Sequence, residues 1–125
     1  MRSFLRQRRT LALAVGCIVC VGALWRPTSA REQGQIVEVT VNGDHYAFAP
    51  ARIEVHKDDV VKVTFHARDI AHSFTVDAYR IAKRAASGQT VVFEFRADQQ
   101  GTFPYYCSLT QDSRCREMKG QIVVK

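Results

Sequence analysis

Two cysteines and a methionine, Cys107, Cys115 and Met118, lie within twelve residues near the C-terminus. Thiolate and thioether sulfur form a soft donor set, suited to copper and above all to Cu(I), and poorly suited to magnesium, calcium or manganese. Cys107 ends the segment Thr102-Phe103-Pro104-Tyr105-Tyr106, which has the composition of a strand. Side chains alternate along a strand, so Phe103, Tyr105 and Cys107 share one face and the thiol points inward with the aromatics. A fourth candidate is His72, which shares a face with Phe74 and Val76. An inward imidazole without a partner would be costly. It is therefore either a ligand or a core histidine bonded to backbone, and the cysteine loop favours the ligand. His56 and His66 fall on polar faces and His45 sits beside a turn, which makes these three solvated surface histidines.

The segments that must position these groups are strands. Val37, Val39 and Val41 alternate with Glu38 and Thr40 over Ile36 to Val41, and Asn42-Gly43-Asp44 is a turn signal. Ile53 and Val55 mark a strand over Ala51 to His56. Val61, Val63, Phe65 and Ala67 mark another over Val60 to Ala67, and a third covers His72 to Val76. An irregular basic piece, Tyr79 to Ala86, leads through Ser87-Gly88 to the clearest strand, Thr90 to Ala97, with Val91, Phe93 and Phe95 inward. Asp98-Gln99-Gln100-Gly101 then turns the chain into the cysteine segment, and a closing strand follows Met118. About seven short strands and no amphipathic helix predict an antiparallel, Greek-key β-sandwich or barrel.

The formal charge of +6 over 125 residues is concentrated at one end. Arg2, Arg6, Arg8, Arg9 and Arg26 lie in the first thirty residues, which hold no acid; from Arg31 onward thirteen basic residues face twelve acidic ones. The folded part is near neutral, which removes the electrostatic basis for binding nucleic acid. Residues 1–30 read as an export signal: a basic start, an apolar run from Leu11 to Leu24, and a small-residue ending at Ala30. Cys17 and Cys20 belong to that apolar run. Arg8-Arg9-Thr10-Leu11 is a partial twin-arginine pattern, and an uncleaved membrane anchor is the alternative to a cleaved signal. Residues 31–125 form the single domain, expected outside the cytoplasm as a monomer.

Three segments carry a family likeness. Asp69-Ile70-Ala71-His72-Ser73-Phe74, Gly101 to Cys107 and Met118 to Val124 resemble the cupredoxins, closest to the CuA-type domain of cytochrome c oxidase subunit II and nitrous oxide reductase. The likeness spans Gln35 to Lys125 and implies the cupredoxin fold. The CuA loop has the pattern C-x3-C-x3-H-x2-M; Cys107 and Met118 keep the outer positions, whereas Gln111 replaces the second cysteine and Cys115 the histidine. A dinuclear centre therefore lacks its second bridging thiolate, and a mononuclear blue-copper site lacks its second histidine. What the resemblance leaves is one copper ion on His72, Cys107, Cys115 and Met118, with Asp69, Ser73 and Gln111 as possible supports.

The competing reading joins Cys107 to Cys115 in a disulfide, since oxidising compartments pair thiols; closing that short loop contributes roughly 2–3 kcal/mol in the chain-entropy treatment. Zinc ranks below both, because thioether sulfur contributes little to it. Three functions follow. The first is electron transfer by a copper protein between redox partners. The second is a Cu(I) carrier or scavenger between copper donors and acceptors. The third is a metal-free interaction domain stapled by the disulfide. No enzyme is expected, because the spare histidines occupy outward or turn positions.

Overall fold

The computed structural model describes residues 34–125. The export signal, with Cys17 and Cys20, and the rest of residues 1–33 lie outside the described residues. Among those described, nine strands run in chain order: β1 Ile36–Asp44, β2 Ala47–Ala49, β3 Arg52–Val55, β4 Val60–Ala67, β5 His72–Val76, β6 Ile81–Ala85, β7 Thr90–Arg96, β8 Gly101–Tyr106 and β9 Lys119–Val124. They form two sheets, a four-stranded one in the order β2-β1-β4-β7 and a five-stranded one in the order β3-β9-β8-β5-β6. The all-β sandwich expected from the alternation is therefore present. Its pairing is mixed: β1 runs parallel to β4 and β3 parallel to β9, while the other ladders are antiparallel.

Alternation in the sequence becomes burial in the fold. In β4, Val61, Val63, Phe65 and Ala67 are completely buried, whereas Lys62, Thr64 and His66 stay partly open. The opposite sheet contributes Ile53, Val55, Phe74, Val76, Tyr105, Ile122 and Val124 to the same interior. Phe74 is the centre of the aromatic packing, with its ring centroid 4.6 Å from Tyr105, 5.5 Å from Phe93, 5.8 Å from Phe65 and 6.1 Å from Phe48. Offset and edge-on ring pairs add stabilisation to the burial of their area. Tyr105 also needs a polar partner at this depth, and its hydroxyl donates to the Pro50 carbonyl at 2.7 Å.

Two local expectations are corrected. Tyr79 to Ala86 is not irregular throughout: after a 3-10 turn at Asp77–Tyr79, β6 pairs with β5 along Ile81–Ala85. Only Ile81 and Ala85 of β6 are buried; Ala82, Lys83 and Arg84 of this edge strand are exposed, which removes the alternating signature. The first hairpin also turns later than Asn42-Gly43 suggested. β1 continues through Asp44, and His45 and Tyr46 make the turn at φ 48° and 59°. Gly43 serves a packing purpose instead, since a Cβ there would lie 3.2 Å from Cδ2 of His72.

Candidate metal centre

β5 and β8 bring the imidazole and the first thiol to the same end of one sheet. His72, the first residue of β5, is fully buried. Just past the end of β8, Cys107 is equally buried, and its sulfur accepts the Ser73 backbone N–H at 3.4 Å. The sulfur is thus fixed beside the residue that follows His72. From there the chain loops through a short 3-10 segment, Ser113–Glu117, which carries Cys115 and is capped by the Asp112 side chain accepting from Arg114 N–H at 3.0 Å. Met118 N–H donates to the Cys115 carbonyl at 3.1 Å and Cys107 N–H to the Met118 carbonyl at 3.3 Å. Cys107, Cys115 and Met118 therefore belong to one tightly wound loop, with Cys115 and Met118 almost wholly buried.

The two cysteine sulfurs are bonded to each other, across a Cα–Cα distance of 5.2 Å. Of the two sequence readings of this pair, the disulfide is the one adopted in this form. While that bond holds, neither sulfur is a thiolate, and the donors left for a metal are His72 and Met118.

His72 has one satisfied nitrogen and one unsatisfied. Nε2 lies 2.6 Å from Oδ1 of Asp69, while Nδ1 is buried with no hydrogen-bond partner among the described residues. An unpaired buried polar atom costs about 1–3 kcal/mol, so its retention points to a use. Partial burial pushes the Asp69 carboxyl up. Hydrogen bonds from Ile70 N–H, His72 and His45 N–H outweigh that effect and hold it at about 2. Asp69 is therefore a carboxylate that can only accept, so a hydrogen bond between the two needs a proton on Nε2. The folded value is below the ordinary 3.8, so the stabilisation from this carboxylate is complete above about pH 4 and is lost as the pH falls toward 2. The expected result is that acid unfolding followed by circular dichroism loses part of its pH dependence in this window in Asp69→Asn; an unchanged profile would contradict it.

A second group of contacts, invisible to sequence spacing, closes the site from the first hairpin. Tyr46 donates its hydroxyl to Oδ2 of Asp112 at 2.6 Å, and the Arg114 guanidinium lies 4.0 Å from the centre of its ring. The same ring stands edge-on to the His72 imidazole at 6.3 Å. The hydrogen bond to Asp112, the largest influence, raises the Tyr46 pKa and lowers that of Asp112. Behind Cys107, Ser108 N–H donates to Ser73 Oγ at 2.7 Å, and the Ser108 hydroxyl lies 3.0 Å from Ser73 Oγ and 2.8 Å from Thr75 Oγ1. Of the suggested supports, Asp69 and Ser73 reach the site, whereas Gln111 is exposed. His45 and His56 are exposed as expected, and His66 pairs with Thr90 Oγ1 at 2.6 Å.

The cupredoxin-like domain family matches residues 13–124. The chain belongs to that family. Solved structures share the cupredoxin fold at low identity. The periplasmic domain of cytochrome oxidase subunit II from Bradyrhizobium japonicum is 16% identical, with a TM-score of 0.63 over 71% of this chain and 83% of that one. A metal-binding domain of a Cu(I)-exporting P-type ATPase from Streptococcus pneumoniae D39, solved with Cu(I), is 17% identical, with a TM-score of 0.61 over 72% and 86%. A third structure holds subunit II of cytochrome c oxidase in a mixed disulfide with a thioredoxin-like protein; it is 17% identical, with a TM-score of 0.60 over 71% and 81%. Among the described residues of this cupredoxin, no helix is long and apolar enough to cross a membrane.

The donor set fits copper in one oxidation state of the protein. With the disulfide reduced, a cupredoxin with a free Nδ1, two buried thiols and a buried thioether offers one borderline and three soft ligands. With the disulfide closed, only the imidazole nitrogen and the thioether remain.

Proposed function

We propose that this cupredoxin is an extracytoplasmic copper-binding protein whose site opens when the Cys107–Cys115 bond is reduced, and that it carries Cu(I) between partner proteins. The observation that carries this reading is the buried Nδ1 of His72, without a partner among the described residues, one residue before the N–H that holds the sulfur of a cysteine pair that can be opened. A dithiol reductant would supply two electrons and two protons to the S–S bond, leaving two thiols. His72, Cys107, Cys115 and Met118 would then hold one ion, with the thiols losing their protons as they bind. Copper would supply a soft cation matched to sulfur and a one-electron couple. The protein's own residues bury the site, set the imidazole and hold the Cys107 sulfur against the Ser73 N–H. A thioredoxin-like reductant is the expected redox partner, by analogy with the mixed disulfide of subunit II.

Competition of the protein with a chromophoric Cu(I) chelator under anaerobic conditions tests the reading. Reduced protein is expected to take one equivalent and disulfide-bonded protein none. Equal binding by both forms, or none by the reduced form, would overturn it. Electron transfer is the second reading, favoured by the near-complete burial of all four side chains, which would keep an ion from exchanging. A reversible redox couple with no loss of copper to chelator would select it over the carrier.

A further inference from the structure

The two halves of the Cys107–Cys115 bond are held very differently. Cys107 is clamped to the five-stranded sheet on both sides. Before it, Tyr106 pairs with Thr75 of β5 and Lys119 of β9, and its hydroxyl donates to Asp77. After it, Ser108 N–H donates to Ser73 Oγ at 2.7 Å, and the Ser108 hydroxyl lies 2.8 Å from Thr75 Oγ1. Between these ties, the Cys107 sulfur accepts the Ser73 N–H. Cys115 has no such frame. Its N–H donates to the Asp112 carbonyl and its carbonyl accepts from Met118 N–H, so both backbone bonds close on the loop itself. Among the described residues, a single side-chain hydrogen bond ties residues 109–117 to the rest of the domain, from Tyr46 to Asp112.

Neither cysteine is exposed, so a protein thiol can reach the bond only if one of the two sulfurs is carried outward to it. Carrying Cys107 outward would unpair the end of β8 from the strands on both sides. Carrying Cys115 outward lifts a loop held by the Tyr46 hydrogen bond and the Arg114–Tyr46 stack. We propose that Cys115 is the sulfur a thiol reductant takes, and that Cys107 is the one that leaves. The proposal rests on the reading that a dithiol opens this bond, and it assigns the attacked atom. The reductant's thiolate bonds to Sγ of Cys115 as the Cys107–Cys115 bond breaks, and the bonding pair departs on Cys107 Sγ. That charge meets the Ser73 N–H already pointed at it. The reductant's second thiol then attacks its own partner sulfur and releases Cys115. The dithiol ends as a disulfide, and its two protons end on the two cysteines. Arg114 and Arg116, exposed on either side of Cys115, favour the approach of an anionic nucleophile.

The test is made on full-length, copper-free, disulfide-bonded protein, mixed with a thioredoxin whose second active-site cysteine is replaced by serine. The mixed disulfide is quenched in acid and mapped by peptide mass spectrometry. A hydrogen bond to a charged sulfur should bias the product at least about tenfold toward linkage at Cys115. Tyr46→Phe, which removes the hydrogen bond to Asp112, should speed the reaction and leave the linkage at Cys115. The same mapping with glutathione, in buffer and in concentrated urea, isolates the contribution of the fold: the bias should be present in buffer and lost in urea. Linkage at Cys107, equal shares in the folded protein, an unaltered bias in urea, no gain in rate in Tyr46→Phe, or no mixed disulfide at all overturns the proposal. Chelator competition on chemically reduced protein decides the copper reading separately. Failure of that protein to bind copper, with the linkage still at Cys115, sinks the copper reading and leaves the assignment of the attacked sulfur standing.

Discussion

Cys107→Ser is expected to weaken Cu(I) binding by the reduced protein by at least about 100-fold, more than loss of any supporting contact around the metal ligands would. Cys107 lies just past the end of a paired strand with its sulfur against a backbone N–H of β5, so part of what places it comes from outside the loop beyond it. A serine hydroxyl there keeps the shape but offers a hard, neutral oxygen to a soft cation. Cys115→Ser should retain a weaker site, because Cys107, His72 and Met118 remain. Both variants also abolish the disulfide, which in the chain-entropy treatment contributes about 2–3 kcal/mol for a loop of this size. The comparison is therefore made against wild-type protein that is already reduced, using chelator competition. A Cys107→Ser affinity within a few-fold of wild type would remove that residue from the centre.

Phe74→Ala should be the most damaging single truncation for the fold, at about 3–5 kcal/mol. The ring is fully buried and packs against Phe48, Phe65, Phe93 and Tyr105, which come from strands in both sheets. Partners on four separate strands cannot all move inward to fill the space, so the cavity persists. A loss of this size should lower the melting temperature of a domain this small by at least about 12 °C. The damage should also reach the site, since Phe74 lies two residues from His72 on the same strand and the same face. Thermal denaturation of the variant beside Ile53→Val, a smaller deletion at the margin of the same core, provides the scale. A drop no larger than that of Ile53→Val would refute the central role of the ring.

The parts of the fold that follow a period-two pattern were readable from the residues. β4 is buried along the face its valines marked, and His72, Phe74 and Val76 do turn inward. β6 was missed because it lies at the edge of its sheet and presents Ala82, Lys83 and Arg84 to solvent, which removes the alternation. The Asn42-Gly43-Asp44 turn signal falls within β1, where the glycine packs closely against an imidazole. In the site, the spacing of Cys107, Cys115 and Met118 brought out one loop, but the sequence left the disulfide and the metal as alternatives. The contact of Tyr46 with Asp112 spans 66 residues and has no local signature. Asp69 carried a faint signal, being three residues before the inward histidine.

The placement of β9 has a consequence for the order of events in the life of the molecule. β9 pairs with β3 on one side and β8 on the other, and it directly follows Met118. Ribosomes add residues 118–124 after everything else in both sheets, so a nascent or threading chain has a gap between β3 and β8. Until that seam is zipped, the thioether has no fixed place and the cysteine loop has only one of its two mooring points. The last strand to be made is thus the one that fixes the Met118 end of the loop.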